Sequence, residues 1–368
     1  MSKLDVAVVG ATGVVGETIL RVLEERRLPV GEMAAFASRA RTGAARFRGE
    51  TIDVRATDAD ALRGFDVVFF ASGEDSSERY APALLERGSY VIDNSSTFRM
   101  QAGVPLVIPE VNPEAMLPEH HLFPVANCTA IVLCTALRPI RDVAGLRSVR
   151  VATYQAASGA GRAGLDEFLS DERAVVLGEE EPAAQIFPQH LAHNVIPQIG
   201  TFDASGYSGE ERKVAEETRK MLSLPELFVS ATTVRVPVRT AHSEVVFVET
   251  ERETTLEELM AAFDGSAGLV FHHDGIVTPR DVEGTDTIHV ARLRAEPPVR
   301  PSTLTPPDPR DVPSPFDSAP VGRYAQDDRG NATRHFTFWC VGDQLRKGAA
   351  TNAVQILELL LSKGFVGA

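Results

Sequence analysis

The chain has 368 residues, 43% hydrophobic and 24% charged, enough for a sizeable core and for two domains of ordinary size. Lys plus Arg number 37 against 51 Asp plus Glu, a net charge of −14, which speaks against a nucleic-acid-binding protein, whose footprint is basic. Cys128, Cys134 and Cys340 are odd in number and widely spaced, so they make neither a disulfide framework nor a zinc pattern and fit a reducing cytoplasm; no secretion signal is expected before the first strand, and no apolar run of about 18 residues exists to span a membrane.

Residues 4–9 form a short apolar run that predicts a strand. It ends in Gly10-Ala11-Thr12-Gly13-Val14-Val15-Gly16, after which Val15, Ile19, Leu20, Val22 and Leu23 fall at helical spacing. Strand, glycine turn and helix in this order predict a phosphate cradle over Gly10, Thr12, Gly13, Val14 and Val15, since glycines let the backbone approach closely and a helix N-terminus holds an anion. The spacing is Gly-x-x-Gly-x-x-Gly rather than the commoner Gly-x-Gly-x-x-Gly, and a plain strand-to-helix turn is the simpler alternative. The next strand, 33–37, runs into Ser38-Arg39-Ala40-Arg41-Thr42. A site for NAD would place Asp or Glu here for the ribose hydroxyls. A hydroxyl and two guanidinium groups suit a 2′-phosphate instead, so Ser38, Arg39 and Arg41 favour NADP; two solvated arginines are the alternative.

A buried strand is predicted over 66–71, followed by Ser72-Gly73 and a helix near 76–87. Residues 90–92 read as another strand, ending in the polar loop Asp93-Asn94-Ser95-Ser96-Thr97-Phe98-Arg99. Ligands bind at such strand ends in open α/β sheets. Strands alternating with helices to about residue 125 predict a doubly wound parallel sheet. The segment Asn127-Cys128-Thr129 then opens a predicted helix over 129–140, ended near Pro139. The unpaired N–H groups and dipole of a helix start favour a thiolate, which makes Cys128 a candidate nucleophile. A buried structural cysteine is the alternative, and Cys134 fits that role.

Beyond residue 140 the character changes. A long alternating strand, 146–156, ends in Gln155-Ala156-Ala157-Ser158-Gly159, where the small Ser158 and Gly159 allow close approach of a flat ring such as nicotinamide. A helix is predicted over 162–172. The charged helix 208–222 carries Glu210, Glu211, Lys213, Glu216, Glu217, Arg219 and Lys220, most of them read as a solvated face. The strand 229–238 carries Arg235; His242 follows, then a strand over 245–249. Long strands with few helices predict a second, α+β domain with a mixed or antiparallel sheet. Residues 297–320 are proline-rich and predict a surface excursion. A strand over 333–341 and a last amphipathic helix close the pattern.

With these residues in hand, the chain resembles the aspartate-semialdehyde dehydrogenase family across nearly its whole length. The matching stretches are 10–16, 93–100, 106–112, 127–129, 153–161, 194–198, 210–213, 234–244 and 342–355, in the family's order. The resemblance implies a Rossmann-like NADP-binding domain over 1–128, completed by a C-terminal helix within 345–368, and a catalytic and dimerisation domain over 129–344 with the proline-rich stretch as an insertion. Ser72 and Gln344 join the cofactor contacts. The implied reaction is the reversible, NADPH-dependent reductive dephosphorylation of L-aspartyl-4-phosphate to L-aspartate 4-semialdehyde, which releases phosphate. It lies on the route to lysine (through diaminopimelate), methionine and threonine, and is carried out by a cytoplasmic homodimer or dimer of dimers without a metal.

Residue by residue, the resemblance makes Cys128 the nucleophile that forms an acyl-thioester, Gln155 the residue that orients it, and His242 the general acid/base. Arg235 would hold the substrate carboxylate and Glu210 its ammonium, with Asn127 beside them, while Arg99 and Lys213 would bind the phosphate. Two stretches depart from the family pattern. Ala40-Arg41-Thr42-Gly43 stands where an arginine and a serine usually precede Ala-Gly, and Ala71-Ser72-Gly73-Glu74 lacks the usual Gly-Gly pair and brings a carboxylate toward an anionic cofactor. The nearest rival, N-acetyl-γ-glutamyl-phosphate reductase, shares the fold, the cysteine and NADPH, but its substrate has no free ammonium for Glu210. A non-catalytic paralogue is a further alternative; the intact set of Cys128, Gln155, Arg235 and His242 speaks against it.

Overall fold

The computed structural model describes residues 3–39, 41–296 and 332–367. The proline-rich stretch and the side chain of Arg41 lie outside the described residues. Strand β1 (Leu4–Val9) is almost wholly apolar because both of its faces are covered, as in parallel sheets generally. It pairs in parallel with β2 (Val30–Ala37) on one side and with β5 (Val67–Phe70) on the other. Beyond β5 lie β6 (Tyr90–Asp93) and β7 (Leu122–Pro124), both parallel. Beyond β2 lies the hairpin of β3 (Arg41–Phe47) and β4 (Glu50–Ala56), whose β4 runs parallel to β2. The seven strands therefore run in the order β3-β4-β2-β1-β5-β6-β7, with the switch of strand order beside β1.

The hairpin was not expected from the sequence. Its turn, Arg48-Gly49, has positive φ at both residues (50° and 78°), which a two-residue hairpin turn of this hand requires. Asn-Gly would have announced it; Arg-Gly does not. Helices α1 (Val14–Glu25), α2 (Ala59–Leu62) and α3 (Glu74–Leu85) follow β1, β4 and β5. Phe36, Leu62, Val68, Phe70 and Leu84 form the core under α2 and α3.

The second sheet is mixed. Its strands are β8 (Ser148–Gln155), β9 (Phe228–Arg235), β10 (His242–Thr254), β11 (Leu269–His272), β12 (Ile288–Ala295) and β13 (Thr333–Gly342), in the order β11-β12-β13-β10-β8-β9. The pairs β8/β9 and β11/β12 are parallel and the rest antiparallel. Helices α4 (Cys128–Ala144), α6 (Gly209–Leu222) and α7 (Leu256–Asp264) pack on the face that presents Val149, Val151, Val246, Phe336 and Phe338. The opposite face carries Arg150, Phe247 and Tyr154, whose ring meets Trp339 at 5.8 Å between centroids; Tyr154 and Phe247 remain 38% and 44% exposed. Two further helices are α5 (Gly161–Leu177), which packs on the turn at Ala157–Ala160 and touches α1, and α8 (Pro279–Val282), which packs on β13.

Helix α4 does not end near Pro139 but runs on to Ala144. A mid-helix proline costs about 3 kcal/mol. Here Ile131, Val132, Leu133, Leu137 and Ile140 are all fully buried, and packing of that many apolar side chains outweighs one lost hydrogen bond. The last helix, α9 (Thr351–Ser362), returns to the first sheet. It packs against α1 and β6, with Val354, Ile356, Leu357 and Leu360 fully buried, and Tyr90 Oη donates to the Phe365 carbonyl at 2.6 Å just beyond it. No helix among the described residues is long and apolar enough to cross a membrane.

Candidate active site

Two clefts meet at Ser72. The first, with about 1170 Å³ of open space, lies over the C-terminal ends of β1, β2 and β5 and is lined by Gly10, Thr12, Gly13, Ser38, Ser72 and Arg79 among others. Gly10 has φ of +84°, and a Cβ there would stand 2.5 Å from the Ala71 carbonyl oxygen, so only glycine fits. The residue before α1 is Gly13, which offers no side-chain cap to the first turn. Its N–H groups therefore keep an anion site, and the residues fit a dinucleotide diphosphate. Ser72 Oγ is buried without a partner, as a ligand-facing hydroxyl would be. Arg39 is exposed at the end of β2 and does not line this cleft; Val14 lines neither cleft, and its carbonyl takes the Thr18 hydroxyl at 2.7 Å. Arg79, which the sequence reading missed, enters the cleft from α3.

The second cleft has about 1030 Å³ of open space and is lined by Cys128, Gln155, Ser158, Gly159, Glu210, Lys213, Arg235, Arg99, Asn127 and Gln344. These ten come from both halves of the chain. The parallel register sets Gln155 opposite Arg235 at the ends of β8 and β9, and α4 begins at Cys128 itself. Gly348, in a short π-helical turn over Arg346–Ala350, comes so near Cys128 that a Cβ there would lie 3.1 Å from the cysteine Cβ. Gln344 Nε2 donates to Ser158 Oγ, and its Oε1 accepts from the Ala241 N–H at 2.6 Å. One side chain thus ties the small-residue loop to the residue before His242.

The expectation of a thiolate favoured by the helix start needs correction. Asn127 Oδ1 already accepts the N–H groups of Thr129 (2.9 Å) and Ala130 (3.2 Å), so those donors are not left for the sulfur. Burial pushes the Cys128 thiol up to about 12, Glu210 adds to the rise, and Arg99 and Arg235 oppose it. The free site therefore holds a thiol near neutrality.

His242 is the first residue of β10 and is fully buried, not a surface loop residue. Its Nδ1 accepts the Ala156 N–H at 3.1 Å. In the neutral ring, that hydrogen bond assigns the proton to Nε2, an atom buried without a partner. Burial and the neighbouring Arg235 hold the imidazole well below its ordinary value, so it is neutral at pH 7. The ring lies behind Gly159, where an added Cβ would stand 3.0 Å from Nε2. The result is a neutral N–H donor behind the cleft wall at Gly159; His242 itself is not one of the lining residues.

The charged groups are held mostly by neutral partners, and one pair, Arg99 and Glu217, by mutual contact. Glu210 Oε1 accepts from Asn127 Nδ2 (2.9 Å) and Gln155 Nε2 (3.1 Å), while no hydrogen bond within the described residues engages Oε2. Arg235 Nη1 donates to the Ala156 carbonyl at 2.6 Å, and its guanidinium lies over the Phe187 ring at 5.8 Å. Lys213, one turn after Glu210, has no carboxylate partner among the described residues. Arg99 donates to the Asn94 carbonyl (3.0 Å) and to Glu217 Oε1 (3.1 Å), and its Nε is buried without a partner.

The charge pattern of residues 208–222 predicts a solvated face for Glu217, and the structure buries it. It is 1% exposed, and its Oε2 accepts the Asn127 N–H at 2.6 Å. Glu211 is buried too, where it accepts the N–H groups of Ser208 and Thr233. The periodicity did contain a hint: Glu210, Lys213, Val214 and Glu217 share one helix face, and that face carries the site. Glu217→Ala should destabilise the fold by about 3–5 kcal/mol, because it leaves a buried guanidinium and a buried N–H unpaired. Denaturant unfolding measures this, and an unchanged midpoint at equal slope would remove the ion pair from the account of the site.

The family model described as "Semialdehyde dehydrogenase, NAD binding domain" matches residues 5–118, and "Semialdehyde dehydrogenase, dimerisation domain" matches residues 137–305. An aspartate-semialdehyde dehydrogenase of Aquifex aeolicus is 37% identical over 98% of this chain and 99% of its own. One of Bacillus subtilis is 38% identical over 97% of each. Among solved structures, aspartate semialdehyde dehydrogenase II of Vibrio cholerae, complexed with ASA, is similar with a TM-score of 0.83 and 35% identity, covering 98% of this chain and 99% of that one.

Proposed function

The chain belongs to the aspartate-semialdehyde dehydrogenase family, and we propose that it interconverts L-aspartyl-4-phosphate and L-aspartate 4-semialdehyde with NADPH, through a thioester on Cys128. The observation that carries the substrate assignment is the pair Glu210 and Arg235 beside Cys128. A carboxylate with one oxygen left over and a guanidinium fork together match the ammonium and carboxylate of an α-amino acid. A substrate with an acylated amine would leave Glu210 unpaired, which weighs against the acetylglutamyl rival.

In the proposed cycle, Arg235 and Glu210 hold the amino-acid head group, and Arg99 and Lys213 hold the phosphate. The bound ammonium cancels the Glu210 charge, one of the two causes that keep Cys128 protonated. The Cys128 sulfur attacks the acyl carbonyl, the C–O bond to phosphate breaks, the thiol proton leaves on the departing group as hydrogen phosphate, and the Gln155 amide orients the thioester. The nicotinamide cofactor supplies the hydride that reduces it. His242 Nε2–H donates to the oxygen that becomes negative in that reduction, and a neutral imidazole serves as such a donor without first titrating; the oxyanion then re-forms the carbonyl, the C–S bond breaks to release the semialdehyde, and the Cys128 thiolate takes a proton from solvent. The product feeds the synthesis of lysine, methionine and threonine.

Supporting NADP over NAD is the absence of a carboxylate over residues 38–42 at the end of β2, with Ser38 and Arg79 lining the cleft and the exposed Arg39 next to Ser38 in the chain. Arg79→Ala should raise KM for NADP by roughly 10- to 100-fold, the loss of one charge-assisted phosphate contact, and leave KM for NAD within about twofold. Equal effects on both cofactors would place Arg79 elsewhere than at the 2′-phosphate. The domain described as a dimerisation domain supports a homodimer, with a second copy on the uncovered sheet face around Tyr154 and Phe247.

The test of the reaction is phosphate-dependent reduction of NADP by the purified protein, offered L-aspartate 4-semialdehyde and N-acetylglutamate semialdehyde in parallel. Turnover of the first alone, requiring phosphate, is the expected result. Turnover of the second alone would keep Cys128 and overturn the roles of Glu210 and Arg235.

A further inference from the structure

Outside the cleft, the described residues hold one group of side chains suited to a metal. Asp171 lies in α5 and is fully buried, yet neither of its carboxylate oxygens has a hydrogen-bond partner. A buried carboxylate left in this way is costly. Facing it is His190, whose Nδ1 is likewise buried and without a hydrogen bond, 3.4 Å from Asp171 Oδ2 and 3.7 Å from Glu181 Oε2. The three ligand atoms lie within 4.8 Å of one another. For ligand bonds of about 2.0–2.1 Å, the edge of a coordination tetrahedron is about 3.3 Å. The two nitrogen–oxygen separations are already near that edge, so an ion can be taken up with small side-chain movements.

We propose that Asp171, Glu181 and His190 bind a divalent transition-metal ion, with Zn²⁺ as the favoured occupant and one position left for water. One imidazole and two carboxylates are borderline-to-hard donors that suit it. None of the three lines the catalytic cleft. The ion fastens the segment 178–190 to α5, where it is already laid down by Glu167, which accepts the N–H groups of Gln185, Ile186 and Phe187 at 2.8, 2.8 and 3.1 Å. Phe187 of that segment lies under Arg235, so the metal would brace a residue of the cleft from behind. Without a metal, a protonated His190 between the two carboxylates is the competing arrangement.

The experiment uses the full chain, free of any tag, with Cys128 alkylated. After treatment with a chelator it is titrated with Zn²⁺ by calorimetry and with Co²⁺ by visible absorbance. The expected result is one ion per chain, Co²⁺ bands of a four-coordinate site without a thiolate charge-transfer band, and a melting midpoint raised by several degrees that the chelator reverses. His190→Gln and Glu181→Gln, both at partly exposed positions, should each weaken binding at least about tenfold. No stoichiometric binding, or binding that both variants leave unchanged, overturns the proposal. Midpoints that follow His190 protonation with no metal bound assign the cluster to the ion pair and overturn it equally. These readouts do not depend on turnover, so they stand apart from the assigned reaction.

Discussion

Cys128→Ala lowers turnover by about four orders of magnitude or more, whereas Cys134→Ala keeps most of it. The first removes the only sulfur that lines the cleft among the described residues and with it the covalent route. The second changes a fully buried side chain on the inner side of α4, where a small apolar replacement costs stability rather than chemistry. A comparable loss in both variants, or none in the first, would sink the nucleophile assignment. The two thiols also predict a pH profile. With Cys128 pushed up to about 12, its alkylation by iodoacetamide in the free protein should rise about tenfold per pH unit and not level off by about pH 9, because only the thiolate reacts. A plateau near neutrality would mean that the free site stabilises the thiolate after all.

Gly159→Ala should cut kcat/KM by about 10²-fold or more while leaving the fold intact. The added methyl would stand 2.7 Å from Arg235 Nη1, 2.9 Å from His242 Cε1 and 3.0 Å from His242 Nε2. Both side chains must yield, and neither has room, since each is buried and bonded to the Ala156 backbone. A displacement of this order at reacting groups costs about two decades in rate. The backbone at Gly159 is not left-handed, so the effect comes from side-chain crowding and not from strain in the main chain. Far-ultraviolet circular dichroism and the melting midpoint separate misplacement from unfolding. Steady-state constants within about twofold of the parent would show that Arg235 and His242 can move without consequence.

What was legible in the sequence was local. The glycine turn after β1, the cysteine at the start of α4 and the strand end at Gln155 each announce themselves within a few residues, because backbone conformation and helix periodicity are local properties. Glu217 was not legible as a site residue, since its burial depends on Arg99, 118 positions away in the chain. The course of α4 through Pro139 was decided by packing on both sides of the helix, against its own propensity. The thiolate expectation failed first on burial and on Glu210, neither of which is readable from a short window of sequence; Asn127 also caps the helix whose N–H groups that expectation assigns to the sulfur. Asp171, Glu181 and His190 meet only after α5 and the segment behind it fold back on each other, and their spacing matches no metal signature.

The return of α9 to the first sheet bears on how the protein is made. In translation, β1 to β7 emerge early, but the apolar surface of α1 and β6 that α9 covers stays bare until the last helix follows. At about 5–20 residues per second, the roughly 230 residues between β7 and α9 leave that surface open for about 10–45 s. Apolar surface left bare for that long is the kind that aggregates or is bound by chaperones. Termination immediately before residue 351 would yield a polypeptide that carries every cysteine and the residues that line the catalytic cleft, yet is prone to aggregate for want of one helix.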